Sequence, residues 1–302
     1  MARYRELMEY QHYVNGEFRY VIAEDSDGIS GVVGYIQYNE SATPDISSTM
    51  ICVRPGADGL LSFEMVDFLE TETHCENHFG LGLAPDKGGL LVRARGCTMK
   101  RVSHFYRLNN LDCYHVARIT DKRICEVNAD EIKELRVLES PADLSDLFLE
   151  DYLKSKVPYK DISYYTHRYF DHPVFRYHLW QWNNGVMVGR IQELGEYRVL
   201  RLVDWIGDDD DIAGIGAGLD TFMREESLEY CDLYCYGLPA DCMKAAGFEE
   251  RSEDDVNIIP NYFEPYEQRN VELFFSLGDK NKDLIHVFKG DSDQDRPNRL
   301  ML

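Results

Sequence analysis

The sequence has no long hydrophobic run and no apolar leader. No stretch approaches the roughly 18 consecutive apolar residues that a membrane-spanning helix needs. The first residues, MARYRELMEYQHYVNGEFRY, are polar and contain no apolar signal core. We therefore expect a chain that neither inserts into a membrane nor carries a secretory signal.

The cysteines do not form the pairs that mark zinc sites or redox motifs. None of the eight belongs to a Cys-x-x-Cys pair, and the nearest two are Cys231 and Cys235. In a chain of 302 residues this spacing favours neither a disulfide framework nor a metal site. We expect reduced, mostly buried thiols and a cytoplasmic protein.

Positive charge is scarce relative to negative charge. The chain has 54 acidic and 32 basic residues, which gives a formal net charge of −22. Such a protein is repelled by nucleic-acid backbones and by anionic membrane surfaces. Neither a nucleic acid nor a membrane is therefore expected as the main partner.

The two halves of the sequence repeat one order of predicted elements. Each half has an antiparallel hairpin, a long strand, a helix that opens on glycines, another strand and a short helix. In the second half the hairpin turns at Asn183-Asn184-Gly185, and YRVLRLVDWIG is the long strand. YHVARI, residues Tyr114 to Ile119, is predicted as a strand. With 302 residues, this order predicts an α+β fold of two domains, residues 1–125 and 141–302, joined by a connector at 126–140.

This arrangement resembles the GNAT fold of the Gcn5-related N-acyltransferases. YRVLRLVDWIG followed by IAGIGAGLDTFM is similar to the family's central strand with its coenzyme A pyrophosphate loop and helix. YCDLYCYGLPADCMKAAGF is similar to the next strand and the helix ending in an Ala-Gly-Phe turn. MICVRPGADGLLSFEMVDFLE takes the strand–loop–helix role in the first half. The resemblance implies two GNAT-like domains, each a mixed, mostly antiparallel sheet flanked by helices, with acetyl-CoA or another acyl-CoA as co-substrate.

A narrower resemblance covers most of the chain. RLVDWIG, IIPNYFEPY and FKGDSDQDRPN, together with VVGYIQYN, VRPGADGLL and HFYRLNN, are similar to a GNAT-like family of bacterial surface-polysaccharide (O-antigen and capsule) biosynthesis proteins. This family resemblance implies a sugar or sugar-nucleotide substrate. It indicates fold and pathway more than the reaction.

Two glycine-containing loops are candidates for the acyl-CoA pyrophosphate. Backbone N–H groups at a helix N-terminus, made accessible by glycine, suit a dianion. The candidate cofactor-binding residues are Arg54, Gly56, Ala57 and Gly59 in the first half and Gly214, Gly216 and Gly218 in the second. The four carboxylates from Asp208 to Asp211 disfavour the second loop. The alternatives are an ordinary tight turn in the first half and a flexible helix start in the second.

Asp204 and His172 are the candidate catalytic residues. Asp204 lies among apolar neighbours in the long strand, where a carboxylate has a raised pKa unless it is paired. Acyl transfer needs a general base near the acceptor, which is the role we give Asp204, with His172 as a second base. The alternatives are a partner for Arg201 or Arg198 in the first case and a loop anchor in the second.

The stretch FKGDSDQDRPN concentrates polar groups near the C-terminal end of the sequence. Its alternating aspartates begin like an EF-hand loop, but Arg296 and Leu302 stand where that loop needs glycine and glutamate. An Asp-x-Asp metal site and a phosphatase nucleophile are weaker alternatives, and we predict no metal. The favoured interpretation is a hydrogen-bond cluster that either holds the acceptor or is structural, with Arg296 pairing one carboxylate. Its predicted residues are Asn261, Tyr262, Asp291, Asp293, Asp295, Arg296 and Asn298.

These observations predict an enzyme that transfers an acyl group from CoA to an amino or hydroxyl group of a sugar or sugar nucleotide. One alternative is a non-catalytic binding or assembly protein that keeps the fold with a decayed CoA loop. Another is transfer from an aminoacyl-tRNA, which the net charge of −22 disfavours. The sequence leaves the oligomeric state open, with a homodimer as one option.

Overall fold

The computed structural model describes residues 4–86, 88–125, 135–147, 150–278 and 284–297. The strands are β1 (Tyr13–Val14), β2 (Glu17–Phe18), β3 (Tyr20–Asp25), β4 (Gly28–Gln37), β5 (Asp45–Val53), β6 (Asn77–Leu81), β7 (Thr98–Leu108), β8 (Arg136–Leu138), β9 (His178–Trp182), β10 (Gly185–Leu194), β11 (Tyr197–Ile206), β12 (Leu228–Tyr236), β13 (Glu249–Glu250), β14 (Tyr262–Phe263), β15 (Tyr266–Glu267), β16 (Leu273–Leu277) and β17 (Val287–Phe288).

Short helices connect the strands. They are α1 (Arg5–His12), α2 (Leu61–Thr73), α3 (Gly88–Ala94), α4 (Pro141–Ser145), α5 (Glu150–Ser155), α6 (Ile162–Tyr165), α7 (Gly216–Glu225) and α8 (Ala240–Ala245). A π-helical turn, Thr166–Phe170, continues α6, and a 3₁₀ turn, Asp209–Gly214, precedes α7. Within the described ranges, no helix is long and apolar enough to cross a membrane.

One mixed sheet of thirteen strands organises the molecule. Its strands follow the order β3-β4-β5-β6-β16-β7-β12-β11-β10-β9-β8, with β13 beside β7 and β17 beside β12. Two neighbouring pairs are parallel, β5 with β6 and β11 with β12, and the other pairs of the sheet are antiparallel. The predicted α+β class, with a mostly antiparallel sheet flanked by helices, is confirmed.

The predicted hairpin is confirmed and one predicted strand is wrong. β9 and β10 pair with Trp182 opposite Gly185. Residues 114–119 instead form a loop with a single bridge between Arg118 and Ile258. The carboxylate of Glu229 accepts hydrogen bonds from the backbone N–H groups of residues 115 and 116, at 2.8 and 2.9 Å. A side chain therefore satisfies this backbone where the prediction placed a strand ladder.

The second half of the chain contributes a strand to the first half's part of the sheet. β16, from the second half of the sequence, lies between β6 and β7 and is antiparallel to both. The predicted connector at 126–140 falls largely on residues outside the described ranges, and its described end contains β8. The division into residues 1–125 and 141–302 stays a prediction.

The cysteines form no disulfide bonds, and the expectation that most are buried is wrong. None of the eight cysteines is in a disulfide bond, and only Cys231 and Cys235 are buried. Both lie on β12 in the middle of the sheet. The exposed cysteines are Cys52, Cys113 and Cys125, which lie near the end of β5 and in loops.

The alternation of side chains along β11 and β12 separates an apolar face from a polar one. Leu200 and Leu202 pack with the buried side of α7, where Leu219 and Met223 lie. Arg201, between those leucines, points to the other face and pairs with Asp232 on β12 at 2.8 Å. Successive residues of a strand point to opposite faces, so this pattern leaves a buried polar surface opposite α7.

The C-terminal segment 284–297 fills the space between β11 and β12. These strands pair only as far as Leu202 opposite Leu233. Beyond that point β17 pairs with β12, and the N–H group of Gly290 donates to Val203 O at 2.8 Å. A Cβ atom at Gly290 would lie 2.2 Å from Tyr169 Oη, so this close approach requires glycine. The segment therefore acts as an inserted strand between two diverging ones.

A buried ion-pair cluster anchors the inserted segment. Lys160 Nζ donates to both carboxylate oxygens of Asp204 at 2.8 Å and to Asp291 Oδ1 at 2.9 Å. Tyr169 Oη and the N–H group of Trp205 also donate to Asp204, at 3.0 and 2.9 Å. Burial raises the pKa of Asp204 to about 6, while Lys160 acts in the opposite direction. One ammonium group thus joins the segment before α6, strand β11 and the C-terminal segment.

Replacing Lys160 by methionine should leave two buried carboxylates without their cation. We expect the free energy of unfolding in urea to fall by about 3–5 kcal/mol, because unpaired buried charge is strongly destabilising. Arg5→Met is the control, since it removes an exposed pair with Glu9 and should leave the urea midpoint unchanged. Equal midpoints for Lys160→Met and the wild type would show that the cluster does not anchor the segment.

Candidate functional site

The parallel strands of the first half, β5 and β6, also diverge. Unlike the gap between β11 and β12, the gap between them is not filled by another strand of the described chain. β5 and β6 pair from Asp45 opposite Asn77 to Ser48 opposite Gly80. A bulge follows at Thr49, and the remainder of β5 pairs only with β4 among the described strands. Ile51 and Val53 are each 37% exposed in this stretch. The outer edge of β5 therefore presents unpaired peptide groups.

The loop RPGADG leads from this open edge into helix α2. Gly56 has a φ of 87°, a left-handed conformation that favours glycine. No heavy atom lies within 4 Å of a Cβ added at Gly56 or Gly59. Arg54 pairs with Asp25 at 2.6 Å on the surface, and Ala57 donates its N–H group to Arg54 O at 3.1 Å. The four predicted cofactor residues of the first half thus share one exposed loop beside the gap.

The corresponding residues of the second half are more enclosed. Gly214 packs near Trp182, whose ring lies 3.0 Å from the position of an added Cβ. Gly216 and Gly218 are buried in α7. Asp209, in the acidic run before them, pairs with Lys156 at 3.3 Å. Because the inserted C-terminal segment also fills the adjacent gap, cofactor binding by these glycines stays a prediction that the geometry does not favour.

The two predicted catalytic residues each have hydrogen-bond partners of their own. Asp204 is 1% exposed and belongs to the Lys160 cluster. His172 Nδ1 accepts hydrogen bonds from the N–H groups of Val174 and Phe175 at 3.1 and 2.8 Å. Burial lowers the pKa of His172 to about 3, which keeps the ring neutral. Their catalytic roles stay predictions, and the contacts favour an anchoring role for each.

The aspartates of the C-terminal stretch are buried and have separate partners. Asp295 accepts two hydrogen bonds from Arg190, both at 2.9 Å, and one from Tyr177 at 2.7 Å. Asp293 pairs with Arg296, and Asp291 pairs with Lys160. Buried carboxylates satisfied in this way are structural and positioning groups. In the described part of the chain, no group of three or more His, Cys, Asp or Glu side chains could hold a metal ion.

A polar cavity of about 260 Å³ brings most of the predicted substrate-binding residues together. Its lining includes the predicted residues Asn261, Tyr262, Asp293, Asp295 and Arg296, and also Gly82, Phe175, Arg190, Gln192, Arg201 and Lys289, which the sequence analysis missed. Asp291 lies outside the lining, and Asn298 lies outside the described residues. Residues 261–262 and 293–296 thus line one cavity, and their role in substrate binding stays a prediction.

Lys289 is the most unusual of the missed residues. It is 4% exposed, and its Nζ donates to Asn261 Oδ1 and lies 5.2 Å from the centre of the Tyr234 ring. Burial lowers the pKa of Lys289 to about 7, and the charge of Arg201 acts in the same direction. The alternation of side chains could have located Lys289. Phe288 packs in the apolar core on one face, so the next residue points to the opposite, polar face.

The cavity adjoins the open gap of the first half. Gly82, at the end of β6, lines the cavity. Gln294 Nε2 donates to Leu81 O at 3.3 Å, and Ser292 Oγ donates to Ser48 O at 3.4 Å. The C-terminal segment therefore runs from the filled gap, past the cavity, to the place where β5 and β6 stop pairing.

His12, at the end of α1, is a further residue that the sequence analysis missed. Its Nδ1 lies 3.2 Å from Tyr35 O, so Nδ1 carries the proton and Nε2 has a free lone pair. Nε2 and the hydroxyl of Thr49 are buried without hydrogen-bond partners in the described structure. Both residues approach Gly34, whose added Cβ would lie 3.1 Å from His12 Cε1 and 2.9 Å from Thr49 Oγ1. Burial lowers the pKa of His12 to about 4.

Comparison with known proteins identifies the fold. No protein-family model and no curated protein sequence matches this chain. A GCN5-related N-acetyltransferase from Anabaena variabilis superposes with a TM-score of 0.50 at 9% identity, over 89% of this chain and 64% of that one. A proposed acetyltransferase from Pyrococcus horikoshii superposes with a TM-score of 0.48 at 10% identity, over 93% of this chain and 81% of that one. This chain spans less than two thirds of the Anabaena protein, and it has the fold of the GCN5-related N-acetyltransferases.

Proposed function

We propose that this protein transfers an acyl group from CoA to a hydroxyl or amino group of a sugar or sugar nucleotide. The observation that carries the proposal is the open outer edge of β5 beside the exposed glycine loop at the start of α2. The pantetheine arm of CoA contains amide groups that can pair with a free strand edge. Its pyrophosphate suits the peptide N–H groups of the loop and helix start.

The first half is the proposed acyl-CoA site because the second half offers neither feature. Its gap is bridged by residues 287–290, and Gly216 and Gly218 are buried in α7. The acidic run at 208–211 would also repel a pyrophosphate. The closed gap of the second half also favours a second candidate function, a binding protein without catalysis. That function would apply if the first half also failed to bind acyl-CoA.

The polar cavity is the proposed acceptor site. Carboxylates, amides and guanidinium groups line it, and these groups exchange hydrogen bonds with sugar hydroxyls. Tyr262 and Phe175 add aromatic faces on which a sugar or a base can pack. The sequence resemblance to surface-polysaccharide biosynthesis proteins supports a sugar acceptor and a role in that pathway.

The proposed reaction is direct attack of the acceptor on the thioester. The acceptor oxygen or nitrogen bonds to the carbonyl carbon, and the C–S bond breaks to release CoA. Peptide N–H groups near the Thr49 bulge would stabilise the negative oxygen that forms. His12 Nε2, with its free lone pair, would take the acceptor's proton, while CoA sulfur leaves with a proton from solvent.

A negative charge placed at Gly59 should weaken acyl-CoA binding. We expect Gly59→Glu to raise the Kd of acetyl-CoA at least about tenfold in calorimetric titration, because its carboxylate would face the pyrophosphate. Gly59→Gln has a similar volume without the charge and should lose less. Gly278→Glu, at another glycine with open space around it, should bind as the wild type does. Failure of the wild type to bind acetyl-CoA or longer acyl-CoAs would overturn the proposal.

Loss of the His12 imidazole should slow the chemical step. With a sugar nucleotide as acceptor, we expect His12→Gln to lower kcat at least about a hundredfold, which is the usual scale of general-base catalysis. The KM for acetyl-CoA should stay close to that of the wild type. The assay follows release of the CoA thiol. His115→Gln alters an exposed histidine and is the control. An unchanged kcat in His12→Gln would remove His12 from the mechanism.

A further inference from the structure

We propose that the acceptor cavity is an anion site, in which Lys289 binds a phosphate or carboxylate group of the acceptor. This inference rests on the proposed function, because it specifies the chemistry of the acceptor. It commits to a sugar that carries negative charge, either through a nucleoside diphosphate or through a carboxylate group of the sugar. The shared feature is an anionic oxygen that reaches the Lys289 ammonium group.

The first argument is an inventory of charge around the cavity. Arg190 pairs with Asp295, Arg201 with Asp232, and Arg296 with Asp293. Each guanidinium group therefore has its own carboxylate. Among the described residues, no carboxylate lies within ion-pair distance of Lys289 Nζ, and this amine donates a hydrogen bond to the neutral amide oxygen of Asn261. In the described part of the chain, the ammonium group of Lys289 is thus the cavity cation that has no carboxylate partner.

The second argument is burial. Lys289 is only 4% exposed, whereas a lysine without a counter-ion normally reaches water. Holding an ammonium group in such a place is costly unless it is paired. The neighbouring strand fixes its position, because the N–H group of Lys289 donates to Tyr234 O at 3.1 Å. The amine is therefore held at the cavity wall in a position to receive an anion.

The third argument concerns protonation. The charged groups that act on Lys289 are Arg201, Arg190, Asp232 and Asp295, from β11, β10, β12 and the C-terminal segment, and Glu264, Asp293 and Arg296 also line the cavity. Burial and these arginines lower the pKa of Lys289 to about 7. A bound anion favours the protonated amine, so binding takes up a proton near neutral pH. Affinity for an anionic ligand therefore falls as the pH rises above about 7.

Two anionic probes and one neutral probe test the inference. Uridine diphosphate glucose carries a diphosphate, glucuronate carries a carboxylate, and glucose carries no charge. None of the three probes changes its charge between pH 6 and about 9. We expect calorimetry at pH 6.5 to show at least about tenfold tighter binding of one anionic probe than of glucose. The probe that binds tighter identifies phosphate or carboxylate as the natural group.

The matched variants are Lys289→Met and Lys244→Met. Lys289→Met should lose at least about tenfold in affinity for the anionic probe and little for glucose, whereas Lys244→Met, on the exposed side of α8, should behave as the wild type does. The pH series needs only the wild type and so does not depend on the variant folding. We expect affinity for the anionic probe to fall about tenfold or more from pH 6 to pH 8.5, and affinity for glucose to stay constant.

Equal affinity for glucose and both anions, or a flat pH series, would overturn the inference. Acetyl-CoA titration without an acceptor separates its failure from failure of the proposed function. Acetyl-CoA binding that depends on Gly59, with no preference for anions in the cavity, would keep the acyltransferase and remove the anionic acceptor. The opposite result would keep an anion-binding protein and remove the acyl-CoA site.

Discussion

The contact between Lys160 and the carboxylates of Asp204 and Asp291 holds the C-terminal segment inside the molecule. Both halves of the sheet depend on that placement. The segment bridges the diverging strands β11 and β12, and it continues past the polar cavity to the end of β6. Because buried charges are stable only with partners, the cluster fixes where this segment can lie. A surface tail of the same composition would build neither the cavity wall nor the inserted strand.

A pair of parallel strands stops pairing at a bulge twice, at Thr49 of β5 and at Val203 of β11, with opposite outcomes. In the first half the strand edge beyond the bulge stays open and leads to an exposed glycine loop. In the second half the chain itself occupies the equivalent edge. Under the proposed function, one half holds the acyl donor while the other supplies most of the acceptor cavity. Repetition of architecture therefore does not imply repetition of chemistry.

The sequence analysis placed β10 and β11 correctly, because their apolar residues are dense and the Asn-Asn-Gly turn marks the hairpin. It also singled out the polar residues at 261–262 and 291–296, most of which line the cavity, while their binding role stays a prediction. It missed three groups whose role depends on long-range placement. Asp204 was expected to be buried, but its partner Lys160 is in a loop that carries no local pattern. Lys289 resembles an ordinary lysine at a strand end, and His12 has no surrounding motif. For the glycines of α7 the spacing suggested an open loop, whereas Gly216 and Gly218 are buried, so their cofactor role stays a prediction that the packing does not favour.

The insertion of β16 between β6 and β7 has a consequence for how the chain folds. β6 and β7 are close in sequence but do not pair with each other, since the strand that joins them comes from far along the chain. Contacts between distant segments close large loops and slow the search for the native state. The first half cannot complete its hydrogen-bonded sheet without β16, so we expect the two halves to form in one cooperative transition instead of as independent folding units.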